Sequence, residues 1–163
     1  MNLIFDIGNT CTKLAIFDKW KKVLSFRTKQ FHWDKMQKLC SPYEHHLDKA
    51  IVSSVRDTPE FIIDMATLGI PYVHILSHNT KLPFKNEYET PETLGPDRIA
   101  AVAGACFHFP GKKVLIIDAG SAVKFDYISG KTYKGGKHFT RLKHEIQGFA
   151  QVYGKVASGL HHG

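Results

Sequence analysis

The stretch Leu3-Ile4-Phe5-Asp6-Ile7-Gly8-Asn9-Thr10 decides the fold, because its pattern returns as Leu115-Ile116-Ile117-Asp118-Ala119-Gly120-Ser121-Ala122. Each copy is an apolar triplet, a carboxylate, one spacer, a glycine and then small residues. A short apolar run suits a buried strand, and the carboxylate stands where that strand leaves the core. The glycine permits a tight turn with positive φ and lets backbone N–H groups approach a ligand. Asn9, Thr10 and Ser121 add small polar groups without blocking that approach. A single Asp-x-Gly after a strand is most often only a turn. Two copies favour a duplicated architecture with a phosphate or metal between its halves.

The rest of the composition is compatible with this. A chain of 163 residues, 43% hydrophobic and 23% charged, forms one ordinary domain or two small lobes with a substantial core. Its formal charge is +7, from 22 Lys and Arg against 15 Asp and Glu, which suits phosphorylated small molecules as well as nucleic acid. The basic residues are dispersed, with short clusters only at 19–22 and 131–143. No continuous Lys/Arg stripe with interleaved aromatics occurs, so nucleic acid is not the expected partner. Cys11, Cys40 and Cys106 lack CxxC spacing and read as free thiols in a reducing compartment. The chain runs directly into a strand with Asp6 close behind, so no signal peptide is expected. No apolar run approaches the roughly 20 residues needed to span a bilayer. Cytoplasmic location and no membrane contact are the expectations. The ten histidines form no constellation, and Trp20 and Trp33 read as packing residues.

Along the chain, residues 2–7 and 12–17 predict a β-hairpin turned by Gly8-Asn9-Thr10, followed by a strand at 22–27. A helix is expected from Trp33 to about Leu39, ended by Ser41-Pro42. Residues 50–55 read as a buried strand. A helix opens at Asp57-Thr58-Pro59-Glu60 and stops at Gly69, and residues 73–76 make another short strand. This alternation argues for an α/β lobe. The Pro-punctuated stretch from His78 to Pro96 has the composition of a functional loop. A helix is expected over about 97–106, where Gly104 and Ala105 would let another element pack closely. Strands follow at 113–118 and 122–128. The 131–143 segment shows no clear period, and residues 143–156 look helical.

The loop Glu87-Tyr88-Glu89-Thr90-Pro91-Glu92-Thr93-Leu94-Gly95-Pro96-Asp97-Arg98 delivers a carboxylate and a guanidinium side by side at a helix start. Asp97 could be a helix cap or, beside a ligand, could accept a hydroxyl proton. The planar fork of Arg98 would suit a carboxylate-bearing ligand.

Taken with the paired signatures, this loop closely resembles type III pantothenate kinase, of the acetate kinase, sugar kinase, Hsp70 and actin superfamily. The matching residues are Asp6-Ile7-Gly8-Asn9-Thr10 with Lys13, then Pro91 through Arg98, then Asp118 through Ala122. The resemblance covers residues 1–136. It implies an α/β, duplicated ribonuclease-H-like (actin-like ATPase) fold with an incomplete second lobe in this chain. Residues 1–110 would form the first lobe with the pantothenate loop, and 111–163 the beginning of the second lobe plus a later helix.

The implied activity is ATP-dependent phosphorylation of pantothenate, the first step toward coenzyme A, in a homodimer. Asp6 would organise Mg2+ or another divalent cation, through water. Gly8, Asn9, Thr10, Lys13, Gly120 and Ser121 would hold ATP phosphates. Asp118 would meet a monovalent cation, K+ or NH4+. Asp97 would be the general base, with Tyr88, Gly95, Pro96 and Arg98 binding pantothenate.

The sequence also departs from the family. Ser121 stands where a Thr is usual. Lys124 stands where the family carries a small or hydroxyl residue, and period-two alternation with Val123 and Phe125 favours placing it on the exposed side of its hairpin. Gly135-Gly136 begins a glycine-rich segment but continues without its usual proline. The alternative function is a non-catalytic binding or transcription-accessory protein that retains the kinase fold.

Overall fold

The computed structural model describes residues 1–56, 68–120 and 122–139. Nine strands build two sheets. The first contains β1 (Asn2–Ile7), β2 (Thr12–Asp18), β3 (Lys21–Thr28), β4 (Lys49–Ser54) and β5 (Tyr72–Ile75), in the order β3-β2-β1-β4-β5. β1, β2 and β3 form an antiparallel meander, whereas β4 and β5 run parallel to β1. The hydrophobic pattern sets this register. Leu3 and Phe5 lie opposite Ile16 and Leu14 on one side and Ala50 and Val52 on the other, all buried. A one-residue slip would turn every one of them to the opposite face.

Helix α1 (Trp33–Cys40) covers this core with Met36 and Cys40, both fully buried. It ends where expected, in a 3-10 turn over Ser41–His46 opened by Pro42. The expected helix from Asp57 lies mostly outside the described residues. Leu68 and Ile70 at its far end join the first core, and Gly69 between them takes φ 64°.

The second sheet contains β6 (Lys85–Asn86), β7 (Lys113–Ala119), β8 (Val123–Ser129) and β9 (Thr132–Phe139), in the order β6-β9-β8-β7. β7, β8 and β9 form a meander, and β6 adds in parallel to β9. Between the sheets runs helix α2 (Pro96–His108), touching β4 on one side and β7 and β8 on the other. A second core gathers Leu76, Phe84, Leu94, Ile99, Val102, Ile128 and Tyr133. The expected division at residue 110 falls in the turn before β7, yet this core draws Leu76 through Val102 from before that turn.

Several local expectations are corrected. The segment without clear period contains β9, one of the two longest strands. Gly8 and Gly120 do not take positive φ. Gly8 instead allows a close turn, because a Cβ there would lie 3.2 Å from the Cys11 carbonyl. Gly104 packs against nothing, since a Cβ at that position would meet open space. Trp20 is 80% exposed, stacked on the equally surface-lying Phe107 at 5.1 Å. Trp33 does pack against the first core. The expected helix over 143–156 lies outside the described residues.

Candidate active site

In both signature turns the glycine N–H donates to a carbonyl further along the chain. In the first, β1 passes Asp6 and the chain reverses as the Gly8 N–H donates to the Cys11 carbonyl at 3.0 Å. In the second, β7 passes Asp118 and the Gly120 N–H donates to the Ala122 carbonyl at 3.0 Å. Ser121 lies outside the described residues. Asn9 is anchored from just beyond β4, since Arg56 Nη2 donates to its carbonyl at 2.7 Å. Asn9 and Thr10 are exposed at the turn.

Asp6 faces Lys13 directly across the hairpin, and their side chains pair at 2.9 Å. That hydrogen bond holds the Lys13 ammonium above the usual lysine range, against the opposing pull of partial burial. The charges of Asp6, Cys11 and Asp118 add in the same direction. The carboxylate of the second signature therefore acts on the lysine of the first, as expected if the two turns face one cleft.

The loop from Glu87 to Arg98 arrives from the side. β6 fixes its start by pairing with β9, and the Glu87 N–H donates to the Tyr133 carbonyl at 3.0 Å. Glu87 is also clamped between Lys85 at 2.7 Å and Lys134 at 2.6 Å, which pull its carboxyl down to about 2. A 3-10 turn at Pro91–Thr93 then leads to Gly95, which caps α2, and to Pro96 at its first position. Proline suits that position because its missing N–H would have no helical partner there. Asp97 is not the cap. It sits in the first turn, where one carboxylate oxygen accepts the Arg98 N–H at 2.8 Å. Gly95 leaves that oxygen room, since a Cβ on residue 95 would stand 2.7 Å from it.

The other Asp97 oxygen accepts from Lys124 Nζ, which also lies 3.4 Å from Asp118 Oδ2. Lys124 therefore points toward Asp97 and Asp118 and is only 20% exposed, correcting the expectation that it faces solvent. Its alternation with Val123 and Phe125 is as expected, but the inward face of β8 is the one carrying Lys124, Asp126 and Ile128. Phe125 and Tyr127 share the outer face with Ile117 and Leu115 of β7, which are 58% and 43% exposed. Burial draws the Lys124 ammonium down, but the hydrogen bond and charge of Asp97, with the charge of Asp118, more than offset it. The net direction is upward, and Lys124 stays protonated.

Arg98 behaves differently from expectation. Its Nε and Nη2 both donate to Asp126 Oδ1, at 3.0 and 2.6 Å, and Nη2 also donates to the Tyr133 hydroxyl at 2.9 Å. The Tyr133 hydroxyl in turn donates to Asp126 at 2.5 Å. Arg98 and Asp126 are only 8% and 2% exposed. Burial lowers the guanidinium and the Asp126 bond and charge raise it, with a net rise that keeps it charged. The fork expected to grip a ligand is thus engaged by the protein. Nη1, with only a 3.4 Å contact to the Tyr88 hydroxyl, is the nitrogen turned toward the loop. Tyr88 is half-buried, lies under the guanidinium at 5.1 Å and stacks on Tyr133 at 6.1 Å.

Asp126, Tyr133 and Lys124 are the site residues that sequence reasoning missed or misplaced. Asp126 carried a signal, being a lone carboxylate inside an otherwise apolar strand core. A buried carboxylate needs a buried partner, and the guanidinium beside Asp97 supplies it.

Asp6 offers a hard oxygen donor, and no cluster of three or more His, Cys, Asp or Glu that could cage a metal occurs among the described residues. Magnesium takes oxygen donors of the kind Asp6 carries. Asp118 does not fit a free monovalent cation equally well, because the Lys124 ammonium already faces it.

This arrangement defines a class. A β3-β2-β1-β4-β5 sheet whose first hairpin carries a phosphate-type turn, followed by a second sheet opening on the same turn, is the plan of the sugar-kinase and actin-like ATPase fold. A candidate 2-dehydro-3-deoxygalactonokinase from Sinorhizobium meliloti shares it, with a TM-score of 0.52 at 12% identity over 93% of this chain and 61% of that one. The sequence pattern of type III pantothenate kinase matches residues 2–137. A type III pantothenate kinase of Bacteroides fragilis is 39% identical over 158 residues, covering 96% of this chain and 64% of the relative. One from Phocaeicola vulgatus is 45% identical over 138 residues, covering 83% and 56%. The chain belongs to the type III pantothenate kinase family. It spans somewhat over half the length of these relatives.

Proposed function

We propose that this chain carries the acceptor half of a pantothenate kinase, transferring the γ-phosphoryl group of ATP to the primary hydroxyl of pantothenate. The observation that supports this most directly is the position of Asp97. It is held at the start of α2 by the Arg98 N–H and shares the Lys124 ammonium with Asp118 of the second signature. A carboxylate there reaches a hydroxyl placed between the two turns and can take its proton as the oxygen attacks.

The other roles follow from the same geometry. Gly8, Asn9, Thr10, Gly120 and Ser121 would meet phosphate oxygens from the two turns, with Lys13 as a point charge. Asp6 would hold a divalent cation through water, and that cation offsets charge on the transferring group when bound. Arg98 Nη1 and the Tyr88 hydroxyl would meet the pantothenate carboxylate, with Gly95 and Pro96 shaping the wall beside Asp97. Positioning contributes most in phosphoryl transfer, so Asp97 has no need of unusual basicity. The same reading carries a cytoplasmic homodimer. Among the described residues no helix is long and apolar enough to cross a membrane.

The test is Asp97→Asn, assayed by coupled ADP release and by pantothenate binding calorimetry. Turnover is expected to fall by about 10²- to 10⁴-fold, the usual range for a lost general base, with binding still measurable. Unchanged turnover removes Asp97 from the mechanism.

A further inference from the structure

We propose that the Lys124 ammonium is a built-in cation of this site, standing in for the potassium or ammonium ion implied at Asp118. The inference rests on the kinase reading of the site, but its geometry is independent of that reading. Lys124 is paired directly with Asp118 across the β7–β8 ladder, so the backbone fixes its Cα against that carboxylate. Its Nζ contacts Asp97 and lies 3.4 Å from Asp118. The Lys124 and Asp97 side chains are each only 20% exposed, so the ammonium is partly desolvated and its long stem is confined.

The charges around it agree with this role. Asp97 and Asp118 bring two carboxylates to the same ammonium. The neighbouring Arg98 is matched by Asp126 and has no net charge to lend. Lys124 supplies a positive charge that faces both carboxylates. It does so with an alkylammonium group, chemically the tethered equivalent of an ammonium ion. A free cation approaching Asp118 would meet that ammonium and be repelled. Tethering also removes the entropic cost of capturing an ion from solution. Lys124 acts here as a positioning residue, holding the oxygen of Asp97 that faces the second signature.

The consequence is indifference to monovalent cations. Melting temperatures of the full chain would be compared in tetramethylammonium, potassium and ammonium chloride at equal ionic strength, for wild type, Lys124→Thr and Lys124→Arg. Wild type and Lys124→Arg are expected to melt alike in all three salts. Lys124→Thr opens a space between two carboxylates and is expected to melt about 3–5 °C higher in ~100 mM potassium or ammonium than in tetramethylammonium. A merely structural role for the lysine would give a variant equally weakened in every salt.

A cation-specific rise in the wild type overturns the proposal, as does a folded Lys124→Thr without one. If that variant does not fold, the wild type decides alone, in either direction. Melting requires no turnover. A wild type that behaves as expected here but never phosphorylates pantothenate would therefore count against the kinase reading only.

Discussion

Replacing Asp126 by Asn tests the part of the site that holds its shape. The carboxylate is 2% exposed and accepts three hydrogen bonds on one oxygen, from Arg98 Nε, Arg98 Nη2 and the Tyr133 hydroxyl. Asparagine keeps the shape and one acceptor but removes the charge. The Arg98 guanidinium then remains buried without a counter-ion. Breaking a buried pair in this way costs about 3–5 kcal/mol, and the acceptor that Asn retains places this substitution near the lower figure. In a chain of this size each kcal/mol is worth about 2–4 °C, so a melting temperature lower by roughly 6–12 °C is expected. Urea unfolding should show an earlier midpoint with an unchanged slope, the mark of lost stability rather than altered compactness. The double variant Arg98→Met with Asp126→Leu should recover most of the loss, because an apolar pair of similar volume often matches a buried ion pair. A loss under about 1 kcal/mol for Asp126→Asn, or no recovery in the double variant, would refute the assignment of Asp126 as the partner that keeps Arg98 buried.

Two further outcomes follow from neighbouring features. Gly136→Ala places a methyl group against the Phe125 carbonyl, the Asp126 carboxylate and Arg98 Nη2. Overpacking a backbone contact of this kind is expected to cost about 3 kcal/mol or more, read by thermal melting, and Ala at exposed Lys134 should be nearly neutral by comparison. Burial pushes the Cys40 thiol from its ordinary 9.0 up to about 11. The unfolded thiol ionises first, so this contribution to stability is intact below pH 9 and lost as pH rises toward 11. Cys40→Ala, melted at a series of pH values, should lack that component of the alkaline decline; an identical decline in both proteins would count against it.

The sequence was most legible where one physical signal acted alone. The β1–β2 hairpin, β4 and β7 followed from apolar runs ended by polar groups, and α2 from Pro96 and the apolar positions Ile99 and Val102. β9 was hidden because its composition serves a neighbour. Tyr133 fills the core, Lys134 reaches Glu87, and Gly136 vacates space for Asp126 and Arg98. No period survives such demands. Lys124 was misplaced for a related reason: apolar was equated with inward. On β8 the large apolar residues Phe125 and Tyr127 face outward, and the inner face carries Lys124 and Asp126, which pair with Asp97 and Arg98. Arg98 was singled out for its planar fork, but the fork that suggested a ligand is equally suited to Asp126. Only the fold distinguishes the two partners.

The parallel pairing of β6 with β9 has a consequence for how the chain comes off the ribosome. Domains are made and begin to fold from the N-terminus, and most of the first sheet is complete by Ile75. The acceptor loop and α2 emerge next, carrying Arg98. Their partners Asp126 and Tyr133 are still unmade at that point, and so is the strand that β6 joins. Until residues 124 and 126 are synthesised, Asp97 lacks Lys124 and the guanidinium lacks its carboxylate partner. The acceptor side thus assembles in one late step, when a single hairpin delivers Lys124, Asp126, Tyr133 and Gly136 together. A nascent chain stalled before β8 would hold a folded first sheet and an unformed acceptor site.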